Sequence, residues 1–129
     1  MSIENNKKVV ADFFEQLNQG DFQRAFERVV PNVKWWIPGT LPFSGVKDKA
    51  GYMAIVDRIR SGFPTGLRFE LKNLVAESHF VAAEVESLGK HANGKTYANK
   101  YHFLFQFSDG NVIAVKEYMD TLHLKELIS

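Results

Sequence analysis

Apolar and polar positions alternate with period two between Thr96 and Phe107. That is the spacing of a β-strand, whose side chains point to opposite faces in turn. In TYANKYHFLFQF, Tyr97, Asn99, Tyr101, Phe103, Phe105 and Phe107 share one face, and Ala98, Lys100, His102, Leu104 and Gln106 the other. The first set is mostly aromatic and predicts a buried face. VIAVKEYMDT predicts a second strand beyond the turn Ser108-Asp109-Gly110-Asn111. A three-residue loop, Asp109-Gly110-Asn111, sets Ile113, Val115, Glu117 and Met119 beside the aromatic face. A two- or four-residue loop sets Val112, Ala114, Lys116, Tyr118 and Asp120 there, because a slip of one residue exchanges the faces. The three-residue loop is the expectation: it buries more apolar surface and leaves Lys116 outside. A bulge further along would turn Asp120 inward.

Helical spacing of Val9, Val10, Phe13, Phe14 and Leu17 predicts an amphipathic helix over 4–18, with Gly20 as its stop and Asp21 capping the next. Phe22, Ala25, Phe26, Val29 and Val30 predict a second helix ended by Pro31. Residues 33–37 predict a short strand with Trp35 and Ile37 inward and Trp36 outward, followed by an ordered loop from Pro38 to Gly45. Tyr52, Ile55, Val56 and Ile59 mark a third helix over 48–61, broken by Gly62, Pro64 and Gly66. Further strands are expected at 67–72 and 80–88, a polar turn at 89–95, and a terminal helical turn in LKELI. Helices first and a mostly antiparallel sheet afterwards is the α+β pattern. A strongly curved sheet wrapped around the N-terminal helices makes a cone, and its open end is the place for an apolar pocket. No repeat or linker interrupts the chain, so a single domain over 1–129 is expected.

Composition narrows the classes. Hydrophobic residues make up 45% of the chain and eleven residues are Phe, enough to line a cavity as well as fill a core. A net charge of +1, with acids and bases interspersed, lacks the basic stripe of a nucleic-acid binder. With no cysteine, disulfides and thiolate-bound metal are excluded. His79, His91, His102 and His123 show no metal-ligand spacing, so neither metal nor cofactor is expected. The N-terminus lacks the apolar run of a signal peptide, and no segment has the length of a membrane span. The expectation is a cytoplasmic protein with no membrane or nucleic-acid partner.

Candidate chemistry centres on Glu117, a carboxylate inside an apolar set, where an unpaired charge is costly. Two readings fit. Glu117 is an acid or base whose pKa burial raises, or it is a structural carboxylate paired with Tyr101 or Asn99 on the adjacent strand. Those two residues could instead orient a substrate carbonyl. Trp35 walls a pocket or fills a core, Tyr52 and Met53 sit at its rim, and the small Ser87 leaves room for a ligand. Asp120 faces outward and pairs with a lysine or with a backbone donor near the strand end. Glu84 and Glu86 are expected beside Lys100 or His102 across the sheet. Ala82, Leu88, Leu104, Tyr118 and Trp36 leave the outer face half apolar, which suggests a partner.

Four segments carry a family resemblance: FFEQLNQGD at 13–21, WWIPGTLPFSG at 35–45, NGKTYANKY at 93–101, and FQFSDGNVIAVKEYMDT at 105–121. In this order they resemble the nuclear transport factor 2-like superfamily, in its SnoaL-like, ketosteroid isomerase and limonene epoxide hydrolase branch. The resemblance spans nearly the whole chain. It implies a pocketed cone and a homodimer formed through the outer sheet face. The epoxide hydrolase Asp-Arg-Asp set falls on Glu117, Val85 and Ser87, so only one carboxylate survives and that hydrolysis is not expected. The isomerase base falls near Ile37, its Tyr donor near Phe13 and its protonated Asp donor near Tyr101, so steroid isomerisation is not expected either. The resemblance implies a cofactor-independent isomerase, cyclase or dehydratase acting on an apolar carbonyl compound. Glu117 is its acid or base, with Tyr101 and Asn99 as helpers. Phe13, Trp35, Ile37, Tyr52, Val85, Ser87, Phe103, Val115 and Met119 line the substrate site. The alternatives are a non-catalytic binder of an apolar ligand and a protein-interaction adaptor. A cavity of roughly 300 Å3 or more at Glu117 would favour the small-molecule readings.

Overall fold

The computed structural model describes residues 2–129. Helix α1 (Ile3–Gln19) starts on Ser2, whose Oγ accepts the Asn5 N–H at 3.0 Å. It stops at Gly20, with φ 79°, where the Gly20 and Asp21 N–H groups reach the carbonyls of Leu17 and Gln16. Glycine takes that left-handed conformation at least steric expense. Asp21 then caps α2 (Phe22–Ala25) by accepting the Arg24 N–H at 3.1 Å.

The second helix is shorter than the apolar spacing predicts. It ends at Phe26, and Val29 already opens β1 (Val29–Ile37), so Pro31 lies inside a strand rather than ending a helix. The β-branched Val29 and Val30 suit extended backbone. Pro31 is tolerated because β1 pairs irregularly there with β7 (Asn111–Met119): Val29 lies opposite Val112, and regular pairing resumes only at Lys34 opposite Ala114. The predicted loop after β1 leads at Gly45 into a further short strand, β2 (Gly45–Lys47). Helix α3 (Lys49–Arg60) follows, with Asp48 accepting the Gly51 N–H at 2.8 Å.

Strands β3 (Leu67–Glu77) and β4 (Phe80–Lys90) run longer than expected. Lys72 is an extra residue between the pairs Leu71–Val85 and Asn73–Glu84, so the inward set of β3 shifts from Leu67, Phe69 and Leu71 to Leu74 and Ala76. The predicted strand from Thr96 divides into β5 (Thr96–Tyr97) and β6 (Lys100–Ser108), yet its aromatic face stays buried throughout. The chain closes with α4 (Thr121–Ile128), a full helix where a single turn was expected. Asp120 is its cap, accepting the His123 N–H at 3.1 Å, which realises the backbone-donor role.

The β6–β7 hairpin settles the register in an unexpected way. Its turn has two residues, Asp109 and Gly110, with φ 50° and 79°, and Ser108 pairs with Asn111. Asp-Gly suits such a left-handed turn. Ile113 is then skipped between the pairs Phe107–Val112 and Gln106–Ala114. This bulge shifts the register by one residue, so Val115, Glu117 and Met119 face the aromatic side as the longer loop would have placed them. Near the turn, Val112 replaces Ile113 as the buried residue.

The curved, unclosed sheet runs β2-β1-β7-β6-β4-β3, with β5 on β4; β1–β7 is parallel and the other pairs are antiparallel. Val10, Phe13, Phe14 and Leu17 of α1 join one core with the inward residues of the sheet. Phe13 meets Phe14, Phe26 and Phe105 edge-on at 5.0, 5.2 and 5.9 Å, the favoured aromatic geometry. On the outer face the register aligns Val46, Trp36, Lys116, Leu104, Ala82 and Val75 in one row across six strands. Glu84 lies opposite His102 and Glu86 opposite Lys100, as expected. No helix among the described residues is long and apolar enough to cross a membrane.

Asn18 of α1 substitutes for a missing strand partner at the β3 edge. Its Nδ2 donates to the Phe69 carbonyl at 2.8 Å, and its Oδ1 accepts the Phe69 N–H at 2.7 Å. Two such bonds are worth about 2 kcal/mol net. Asn18→Ala is therefore expected to lower stability by about 2 kcal/mol in urea titration. A midpoint equal to wild type would show that α1 is held by its apolar face alone.

Candidate functional site

Strand β7 carries Glu117 to the inner face, opposite Phe103 of β6. Its carboxylate is buried, with the residue 6% exposed. Both chain partners meet one oxygen: Trp35 Nε1–H donates to Oε1 at 2.9 Å and the Tyr52 hydroxyl donates to it at 2.6 Å. Trp35 comes from β1, the parallel neighbour, and Tyr52 from α3. Their rings stack at 3.9 Å with 16° between planes, so each fixes the other's donor. No donor among the described residues reaches Oε2. Burial raises the Glu117 pKa above the usual carboxylate value, while the Tyr52 and Trp35 hydrogen bonds pull it partly back. The Tyr52 phenol is itself pushed well up, first by burial and then by the adjacent carboxylate. The partners of Glu117 are thus Trp35 and Tyr52, not the expected Tyr101 and Asn99. Trp35 and Tyr52 lie 82 and 65 positions away along the chain, and strand alternation has no means of pairing them with Glu117.

Beside Glu117 lies an apolar cavity of about 60 Å3. This is smaller than the several hundred Å3 expected, because Phe13, Phe14, Phe26, Phe69 and Phe103 project into the space they enclose. Of the anticipated site residues, Phe13, Ile37, Tyr52, Tyr101, Phe103, Glu117 and Met119 line it. Trp35, Val85, Ser87, Val115 and Asn99 are buried behind that wall. Met53 is partly buried against the core and outside the lining. The half-buried side of the wall is formed largely by Ile55, Val56, Ile59 and Arg60 of α3, none of which strand alternation could have found.

A second polar group borders the same cavity. Tyr97 and Tyr101 hydroxyls are 2.7 Å apart, Asn99 Nδ2 donates to Tyr97 at 2.9 Å, and Ser87 Oγ donates to Tyr101 over 3.4 Å. Whichever phenol donates across the pair, the other O–H has no acceptor among the described residues. Both tyrosines line the cavity. Burial pushes the Tyr97 pKa up to about 12 and the Tyr101 pKa well up, which keeps both protonated near neutral pH. Asn99 has nothing left to offer a substrate. Its Nδ2 also donates to the Asp120 carbonyl at 3.0 Å, and its Oδ1 accepts the Lys100 and Asp120 N–H groups at 2.8 and 3.2 Å. Asn99 therefore fixes the phenols and the start of α4 rather than meeting the cavity. Tyr97 stood in the alternating set, but only its hydroxyl contact reveals its place here. Among the described residues no cluster of three His, Asp or Glu could hold a metal ion.

A family model described as the SnoaL-like domain matches residues 10–115, and the chain belongs to that family. Sequence comparison with curated proteins finds no match. Solved structures share the fold at low identity. An NTF2-like protein of unknown function from Burkholderia pseudomallei is 18% identical, with 100% of this chain and 99% of that one covered and a TM-score of 0.85. IdmH, a proposed polyketide cyclase from Streptomyces antibioticus, is 18% identical over 96% of this chain and 99% of its own, with a TM-score of 0.81. A proposed SnoaL-like polyketide cyclase from Jannaschia is 20% identical over 100% of this chain and 95% of its own, with a TM-score of 0.80.

The burial of Glu117 has a pH signature. Its folded-state pKa lies above the unfolded value, so between the two the folded chain holds the extra proton and stability falls as pH rises. Gln at 117 keeps an oxygen for Trp35 and Tyr52 and does not titrate. Glu117→Gln is expected to gain in melting temperature relative to wild type as pH goes from about 4 to about 8. A difference that stays flat over that range would contradict a buried, upshifted carboxylate.

Proposed function

We propose that this member of the SnoaL-like family is one domain over 1–129 that binds an apolar, carbonyl-bearing small molecule and moves a proton on it. Its reaction class is isomerisation, cyclisation or dehydration. One observation carries the reading: a buried carboxylate tied by two donors on Oε1 and bare on Oε2, beside an apolar cavity that a buried phenol pair also borders. The cyclase assignments proposed for IdmH and the Jannaschia protein support the same class.

In this scheme Glu117 is the base. Its carboxylate takes the proton from a carbon next to the substrate carbonyl. The C–H electron pair becomes a C=C bond, and the carbonyl π pair moves onto oxygen as an enolate. The free O–H of the Tyr97–Tyr101 pair donates to that oxygen, where charge develops. Where the substrate also has a C=C bond between its β and γ carbons, the enolate is a dienolate, and return of the proton from Glu117 to the γ carbon moves the double bond into conjugation and restores the carboxylate. Attack of the enolate carbon on a second carbonyl closes a ring instead, and the protonated Glu117 neutralises the new alkoxide. Loss of a β-hydroxyl, taking the Glu117 proton to leave as water, gives dehydration. The scheme needs no cofactor. An upshifted pKa brings Glu117 closer to neutral, where a general base is most effective. A cavity of about 60 Å3 admits such a ligand only if the half-buried α3 side gives way.

Hydrogen–deuterium exchange tests the scheme before any natural substrate is known. Wild type is expected to speed exchange at the carbon next to the carbonyl of 2-tetralone in D2O, followed by NMR, and Glu117→Gln to lower that rate by about 100-fold. The rate should rise with pH through an apparent pKa above the usual carboxylate value. Binding of 2-tetralone without exchange above background would leave a non-catalytic binder, and equal rates in both proteins would remove Glu117 from the chemistry.

We also propose a homodimer through the outer sheet face. The row Val46, Trp36, Lys116, Leu104, Ala82 and Val75 supports this, since five of its six residues are apolar and Val46 and Val75 are 60% and 68% exposed. Sedimentation equilibrium should return twice the 14.7 kDa chain mass, and Leu104→Glu should return the monomer. A monomeric wild type would exclude this interface.

A further inference from the structure

We infer that Arg60 recognises an anionic group on the ligand, so that the ligand is an apolar acid rather than a neutral ketone alone. This rests on the cavity being a ligand site, as proposed above. Arg60 is the last residue of α3 and, among the described residues, the one cation lining the cavity. It is half-buried, and no carboxylate among the described residues lies within salt-bridge distance of it. Its side chain makes no hydrogen bond to the described residues.

Its known contacts leave the donors free. The guanidinium carbon sits 4.2 Å from the centroid of the Phe22 ring, a cation–π contact. Nη2 comes near the end of α1, where a Cβ on Gly20 would be 3.5 Å away. The carbonyl ends of α1 and α3 favour a cation there without consuming its N–H groups. The in-plane fork of five N–H donors stays available, and it matches a carboxylate better than any other side chain does. Glu117 makes the orientation selective. A ligand carboxylate beside a second buried carboxylate is repelled, so the anion lies toward Arg60 and the neutral carbonyl toward the phenol pair.

Isothermal titration with 2-naphthoate and its uncharged analogue 2-naphthamide separates the possibilities. Wild type is expected to bind naphthoate at least about tenfold more tightly, and Arg60→Met, which keeps the apolar stem, to bring the ratio near one. Arg60→Lys, which keeps the charge but loses the fork, should retain part of the preference, and Glu117→Gln should retain or enlarge it. Equal affinities in wild type, or a preference unchanged in Arg60→Met, would overturn the role of Arg60 and leave the pocket reading intact. Binding of neither probe would overturn both.

Discussion

The structure turns on one buried carboxylate. An isolated charge inside a protein is several kcal/mol too expensive to keep, so Glu117 persists only because donors are brought to it. The Trp35 indole and the Tyr52 phenol provide them, and each arrives on a different element. The result joins β7, β1 and α3 at a single oxygen. That arrangement explains why two large amphipathic rings stack at 3.9 Å here instead of filling the core at random. It also leaves room for a structural and a chemical role in the same side chain. Oε1 is used to hold the fold together, and Oε2 is not.

The tyrosine group works by the opposite logic. Glu117 collects donors, whereas Asn99 spends every donor and acceptor it has on its neighbours. By bridging Tyr97 and both backbone groups of Asp120, it holds β6 against the start of α4. The Asn99 N–H itself goes to Ser87 Oγ of β4 at 3.2 Å, where the ladder on β4 is interrupted between β5 and β6. Two polar islands therefore border one apolar cavity. One holds a carboxylate oxygen with no donor among the described residues, and the other a phenol pair that burial keeps protonated.

Much of this fold was legible because alternation and helical spacing report burial directly. The aromatic face from Tyr97 to Phe107, the amphipathic α1 and the inward Trp35 all follow from period alone. Helix α2 did not, since Val29 and Val30 continue a helical spacing while their β-branched side chains and tertiary pairing favour strand. The hairpin shows a subtler limit. The correct face for Glu117 came from burial, but the register is achieved by a tight Asp109-Gly110 turn followed by a bulge. Pattern constrains the sum of such shifts and not their placement. The site was legible only in part for a related reason. Glu117 announces itself as a charge in an apolar row, whereas its partners and the α3 wall are contacts between elements far apart in sequence.

Helix α3 unites access with acidity. It contributes Tyr52 to the carboxylate and Ile55, Val56, Ile59 and Arg60 to the half-buried side of the cavity. The Tyr52 hydrogen bond is the larger of the two that pull the Glu117 pKa down against burial. A displacement of α3 that widens the cavity lengthens this bond, and two opposing changes follow. Entering water relieves burial and favours the carboxylate, while loss of the phenol favours the acid. Once an apolar ligand replaces that water, desolvation returns, and the charge is stabilised only to the extent that the Tyr52 hydroxyl stays within reach of Oε1 beside the ligand. In the proposed scheme the carboxylate is thus best supported when Tyr52 keeps its contact while a ligand excludes water, the state in which a proton transfer is sheltered from solvent.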